Sequence, residues 1–332
     1  MLVFTDERMG GHDPGPSHPD QPSRLRAALR GLQDVDTDVR RPEAAPRAAV
    51  GRVHDDAHID LVERSRGQRG QFDADTPVSE GSVEAAYIAA GAALAATQAV
   101  LSEDGPDVAW AMVRPPGHHA EPMVPMGFCL FNNVAIAAAE VAAAGRRAMV
   151  IDVDVHHGNG TQHAFESRED VLFVSLHQFP FYPGTGAPDE TGRDRGAGCT
   201  VNFGMPAGSG DRDYLEAFDE VILPIARRHA PEVVLVSAGF DGHRDDPLAA
   251  MNLSAPGFAA MTRRLMELGR PLVMTLEGGY HLDALCDCVA RCTAVLTGTD
   301  GEPNEQTLDG ETELGRSAVA DTRRIHRARW GL

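Results

Sequence analysis

The sequence lacks most of the features that mark a specialised structural class. It has only 5 cysteines in 332 residues, an odd and uneven set that does not make the disulfide framework of a small secreted domain. Three of them, Cys286, Cys288 and Cys292, form a C-x-C-x₃-C run. On a helix Cys288 and Cys292 share a face while Cys286 points elsewhere, so the run reads as small buried hydrophobes. No stretch has the ~20 uninterrupted apolar residues of a membrane helix. The start, Met1 to Arg8, is too short and too acidic for a signal peptide. The expectation is a soluble, cytoplasmic protein with no membrane partner. Basic residues are also in deficit, 30 against 49 acidic, for a net charge of −19. Such a surface repels phosphates, which argues against a general nucleic-acid binder and favours a cationic partner.

The apolar set makes up 42% of the chain, apart from 34 glycines, enough for a sizeable core and too much for disorder. Short apolar runs at Val108–Val113, Ala148–Val155, Val171–Leu176, Val233–Ser237 and Leu272–Leu276 read as buried strands. Between them lie helical patterns at Ser82–Leu101, Val134–Ala144, Asp213–His229 (bent at Pro224), Gly257–Leu268 and Asp283–Leu296. Alternating strands and helices predict a single α/β domain, a mainly parallel central sheet flanked by helices on both faces. No linker or repeat divides it. We place the folded domain at 1–298 and a polar C-terminal segment at 299–332. Within that segment, 299–315 is a loose acidic connection, and the basic end is either a docked helix or a solvated tail.

The run from Asp152 to Gly160 carries the chemistry. On a strand, Asp152, Asp154 and His156 would project from one side, about 6.6 Å apart in succession. Carboxylates inside an apolar strand are costly unless a cation or strong hydrogen bonds compensate. A polar strand end with hydrogen-bonded aspartates is the plain alternative. Other strand ends shift the balance. Val108–Val113 leads to His118-His119, Val233–Ser237 to Asp241, and Leu272–Leu276 to Tyr280. Ligands of open parallel sheets bind beyond the carboxyl ends of the strands. Together these ends supply two carboxylates and one imidazole for a metal, spare imidazoles for proton transfer and a phenol, the set that a three-ligand hydrolytic metal site needs.

These residues resemble the arginase-like fold family of zinc deacetylases, the histone deacetylase superfamily. Six signatures occur in family order. They are Arg114-Pro115-Pro116-Gly117-His118-His119-Ala120, Gly127-Phe128-Cys129, Asp152-Val153-Asp154-Val155-His156-His157-Gly158-Asn159-Gly160-Thr161, Pro183-Gly184-Thr185-Gly186, Ser237-Ala238-Gly239-Phe240-Asp241 and Glu277-Gly278-Gly279-Tyr280. Asn159 and the Ser-Ala-Gly-Phe-Asp and Glu-Gly-Gly-Tyr forms are similar to the class II branch, as is His18-Pro19-Asp20-Gln21-Pro22-Ser23-Arg24.

The resemblance implies that Asp154, His156 and Asp241 bind one Zn²⁺. It implies that His118 and His119 are the proton-transfer pair, oriented by Asp152 and Asn159, and that Tyr280 is an oxyanion donor. A structural K⁺ would sit on the side chains of Asp152 and Ser175 and the carbonyls of Asp154, His156 and Leu176. Gly127, Phe128 and Tyr182 match the walls of an acyl-lysine tunnel, Leu248 and Asp75 its rim, and Arg24 an inner-channel arginine. The function implied is hydrolysis of an acyl-amine amide, on an acylated lysine peptide or an acylated polyamine. An apolar Leu248 points to the peptide. A non-catalytic acyl-lysine-binding scaffold is the reading from a different class. A binuclear manganese hydrolase of arginase type would need more metal carboxylates, and iron(II) in the same site stays open. Oligomeric state is left open.

Overall fold

The computed structural model describes residues 1–301, 308 and 314–332. Ten strands run through them: β1 (Leu2–Phe4), β2 (Asp38–Arg40), β3 (Gly70–Gln71), β4 (Pro77–Val78), β5 (Val108–Ala111), β6 (Ala148–Asp152), β7 (Val171–Gln178), β8 (Thr200–Met205), β9 (Val233–Ala238) and β10 (Leu272–Leu276). Apart from the antiparallel β3–β4 ribbon, they form one parallel sheet in the order β2-β1-β5-β10-β9-β6-β7-β8. β5, β6, β7, β9 and β10 are buried along their whole length. Both sheet faces are covered, and this is why these strands read as unbroken apolar runs without alternation. Their carboxyl ends lie together at one edge and open onto the loops that carry the candidate residues.

The Ala-rich helix Ser82–Val100 packs on β1, β5 and β10 and against helix Asn133–Ala143, which lies on β6 and β9. By length and composition Ser82–Val100 is apolar enough to cross a membrane, but 78% of its apolar window is buried in the core. Asn132 caps Asn133–Ala143 by accepting from the Ala135 N–H at 3.0 Å, satisfying one of the free donors at the helix start. The segment expected as one bent helix over Asp213–His229 is divided. Helix Asp211–Ala217 passes through a π-helical turn, Phe218–Ile222, into helix Leu223–His229. Pro224 has no N–H to give to the preceding turn, and the wider turn absorbs the mismatch. Helix Leu282–Thr297 packs against both Pro22–Arg30 and Ala255–Met266, and its Cys288 and Cys292 are buried.

The sequence pattern did not show β1, β2 or β8. The first two have three residues each, and β8 contains Gly204, which weakens its signature. β8 is an edge strand, and its exposed side is covered by helix Arg316–Trp330, the docked alternative for the basic end. Thr322 Oγ1 donates to the Asn202 carbonyl at 2.8 Å, and the Trp330 indole N–H to the Gly198 carbonyl at 2.8 Å. Covering an edge in this way blocks further strand pairing. Most of the 299–315 connection lies outside the described residues. The chain contains no lysine, so surface ion pairs such as Arg40–Asp38, Arg41–Glu7 and Arg47–Asp60 are all guanidinium–carboxylate.

Trp330 is 8% exposed. Its replacement by alanine should cost about 3 kcal/mol of stability, read as a lower urea midpoint. An unchanged midpoint would mean that the terminal helix adds nothing to the fold.

Candidate active site

β6 ends at Asp152, earlier than the strand expected to run to Val155. The Val153 N–H still donates to the Ser237 carbonyl of β9 at 3.1 Å. Beyond it, aspartate side chains replace the ladder. Asp152 Oδ1 accepts from the Asp154 N–H at 3.1 Å, and Asp154 Oδ1 from the His156 N–H at 3.0 Å. Such local bonds compete with strand continuation. Asp154 and His156 therefore lie on a loop, and they converge by turn geometry instead of strand alternation. Asp241, three residues beyond β9, is tied to this loop by accepting from the Val155 N–H at 2.9 Å.

One ligand atom each from Asp154, His156 and Asp241 can be chosen so that all lie within 4.8 Å of one another. His156 Nδ1 is 3.2 Å from Asp154 Oδ1 and 3.1 Å from Asp241 Oδ2. Burial opposes charge on His156, yet the two carboxylates outweigh it and raise the imidazole to about 10. Burial and the charge of Asp154 push Asp241 up to about 7. A single proton between two buried carboxylates leaves the cluster short of positive charge. A dication shared by two carboxylates and an imidazole would supply it, with room for a fourth ligand. The donor set fits zinc. Gly278 is needed beside it, because a Cβ there would come 2.3 Å from Asp241 Oδ2 and 2.5 Å from Asp154 Oδ2. Its bare N–H donates to Asp154 Oδ2 at 2.8 Å.

The two adjacent histidines stand beside this triad with different partners. His118 Nδ1 is 2.9 Å from Asp152 Oδ2, and His119 Nδ1 is 2.7 Å from Asn159 Oδ1. Burial pulls both down. On His118 the carboxylates of Asp154 and Asp152 overcome it and hold the imidazole well above its ordinary value. On His119 the nearby His118 and His156 add to burial, and it falls well below. A carboxylate partner favours the imidazolium, whereas an amide partner only orients the ring.

A narrow pocket leads to these groups. It is lined by His118, His119, His156 and Tyr280, and by Gly127, Phe128, Tyr182, Leu248 and Asp75. All five substrate-binding candidates thus share one cavity. His119 and Tyr182 meet edge to face at 5.1 Å between ring centroids, as do Phe128 and Tyr280 at 5.9 Å. Gly127 and Phe128 both have positive φ, 57° and 69°. A Cβ on Gly127 would sit 2.5 Å from His119 Cδ2, so only glycine fits there. Burial raises Tyr280 well above its ordinary value, with Asp241 and Asp154 adding to it and Arg24 opposing. Its phenol keeps its proton at neutral pH.

Comparison with known proteins agrees with this geometry. Residues 18–296 match the histone deacetylase domain family. A probable deacetylase of Archaeoglobus fulgidus is 38% identical over 294 residues, covering 85% of this chain and 81% of that protein. The chain belongs to the histone deacetylase family. Within it, histone deacetylase 15 of Arabidopsis thaliana is 37% identical over 347 aligned positions, covering 99% of this chain and 62% of that longer protein. The crystal structure of the HDA15 HD domain superposes with a TM-score of 0.92 at 36% identity, over 99% of this chain and 95% of that one.

Three supports of this histone deacetylase-family site were not read from the sequence. Glu277 Oε2 accepts from the Gly117 and His118 N–H groups at 2.6 and 3.1 Å, anchoring the tandem histidines. Asp246 Oδ2 accepts from the Tyr280 and His281 N–H groups at 2.6 and 3.1 Å. Asp20 is fully buried between Arg24, at 2.6 Å, and Arg114, at 2.9 Å. Arg24 is absent from the pocket lining. It donates to the carbonyls of Gly279 and Glu277 at 2.6 and 2.5 Å and lies 4.6 Å from the centre of the Tyr280 ring. It backs the phenol from behind and does not stand in the channel.

Burial alone would raise the Asp20 carboxyl, but Arg114, His12 and Arg24 outweigh it and hold it well below the usual range. A carboxyl lowered on folding contributes stability that is complete above about pH 4 and is lost as pH falls through the folded value. Asp20→Asn should cost about 3–5 kcal/mol at neutral pH, because it leaves two buried guanidiniums uncompensated. Its stability should also fall less steeply than wild type below pH 4. Parallel acid limbs in the two proteins would remove Asp20 from this role.

Proposed function

We propose that this histone deacetylase-family chain is a zinc-dependent amidohydrolase that removes an acyl group from a lysine-like amine. The observation that carries the reading is the Asp154/His156/Asp241 triad, whose His156 lines one pocket together with the tandem histidines and Tyr280. The relatives are deacetylases by name, which supports the same reaction class.

Asp154, His156 and Asp241 would hold the metal. The chemistry zinc supplies when bound is Lewis-acid polarisation of the amide carbonyl and acidification of water. His119, neutral at neutral pH and tied through Nδ1, takes a proton from the attacking water at Nε2 and returns it to the leaving amine. His118, paired with Asp152, holds positive charge beside the developing anion. The Tyr280 O–H donates to the carbonyl oxygen as it gains negative charge. Asp152 and Ser175, opposite one another in the β6–β7 register, together with the carbonyls of Asp154, His156 and Leu176, would hold a potassium ion.

Phe128 and Tyr182 offer aromatic walls to the methylenes of an acyl-lysine, Leu248 gives the rim an apolar side, and Asp75 supplies an acceptor for substrate backbone. The overall acidity suits any cationic amine, acetylpolyamines included. Rates on an acetyl-lysine peptide and on acetylspermidine, compared with the metal defined, test the substrate. Faster peptide turnover is expected, and faster acetylspermidine turnover would overturn that part.

Tyr280→Phe should lower kcat about 10²- to 10³-fold, the cost of one oxyanion donor. A variant at the wild-type rate would exclude Tyr280 from the reaction. Asp241→Ala should lose zinc by elemental analysis, and full zinc content would take Asp241 out of the ligand set.

A further inference from the structure

Glu121 follows the tandem histidines by two residues and does not line the pocket. No role falls to it in the reaction above. Its carboxylate accepts from the Asn159 side-chain amide and lies 2.7 Å from His163 Nδ1. Asn159 in turn places its Oδ1 2.7 Å from His119 Nδ1.

An asparagine amide has one accepting and one donating end, and on its own either could face an imidazole. A carboxylate only accepts. Glu121 therefore draws the NH₂ end of Asn159 toward itself. The other acceptors near that NH₂, the His119 carbonyl and Met126 Sδ, lie farther off at 3.5 and 3.4 Å. The oxygen end is left facing His119. Because it accepts, Nδ1 of His119 carries the proton and Nε2 keeps its lone pair. With the amide reversed, the Asn159 NH₂ would donate to Nδ1, the proton would move to Nε2, and His119 would have no free base for the reaction.

Glu121 also acts at one remove. A carboxylate directly on Nδ1 would favour the imidazolium, as Asp152 does for His118. The intervening amide passes on orientation without that direct pairing. The Glu121 side chain is 17% exposed, and its partner His163, 36% exposed, carries the network to the surface.

We propose that Glu121 is a positioning residue that sets the tautomer of His119 through Asn159. The proposal rests on the amidohydrolase reading. The test measures kcat and KM on an acetyl-lysine peptide for Glu121→Ala, Glu121→Gln, Asn159→Ala and the Glu121→Ala/Asn159→Ala double variant. It also records ¹⁵N NMR of the histidine rings in wild type and Glu121→Ala. Glu121→Ala should lower kcat by about 10- to 100-fold, as is usual for the loss of such supporting partners, and leave KM unchanged. Glu121→Gln keeps an acceptor oxygen and should recover most of the loss. The double variant should be no slower than Asn159→Ala, because the two residues act in series. The NMR signature of His119 should move from Nδ1-protonated towards Nε2-protonated in Glu121→Ala. Wild-type kcat in Glu121→Ala, losses that multiply in the double variant, or an unchanged tautomer would each overturn the proposal. A wild-type protein without turnover on any acyl-amide would sink the hydrolase reading instead, and the NMR comparison would then judge Glu121 alone.

Discussion

Four carboxylates, Asp152, Asp154, Asp241 and Glu277, are buried together at the carboxyl ends of β6, β9 and β10, and their mutual repulsion is the constraint that the rest of the site answers. Burial of like charges is tolerated only with compensation, and here it comes in three forms. Backbone N–H groups of Gly117, His118, Val155 and Gly278 point at carboxylate oxygens. Imidazoles pack against them, and the carboxylates draw positive charge onto His118 and His156, raising both above their ordinary value. Asp152 and Glu277 shift in the same direction, burial first among the causes, and rise to about 6 and about 7. The donors left over are the two carboxylates and one imidazole that suit a dication.

The scaffold is shaped by the same constraint. Glycine stands at 278 because backbone must approach the carboxylates, and at 127 because an imidazole occupies the space of a side chain. Arg24 and Arg114 are kept out of the carboxylate cluster by the buried Asp20 that engages them. Arg24 still reaches the site indirectly, holding the Glu277 and Gly279 carbonyls on either side of the turn that presents Tyr280.

Much of this was legible in the sequence because it is local. The five apolar runs became strands, and the motifs at their carboxyl ends met in one pocket, since a parallel sheet aligns those ends. The His118 and His119 contrast followed from Asp152 against Asn159. What stayed hidden depends on distant parts of the chain. Glu277 reads as one more residue of a glycine-rich turn until β10 and β5 pair and bring it under Gly117. Glu121 reads as a loop acid until Asn159, 38 residues later, turns toward it. The end of β6 at Asp152 was missed because strand alternation assumes that the ladder continues, whereas each aspartate bonds the backbone two residues on. β8 was hidden because its identity as a strand relies on β7 and on the terminal helix covering its edge.

The absence of lysine, visible as arginine in the surface ion pairs, carries a consequence of another kind. No side chain of this protein is a primary amine, so no acyl-lysine can form on it. The guanidinium preserves surface charge and remains protonated throughout the biological pH range. Neither the enzyme's own surface nor that of a second copy can present an acyl-lysine to the pocket. Whatever acylation level prevails around it, that modification cannot be written onto its side chains.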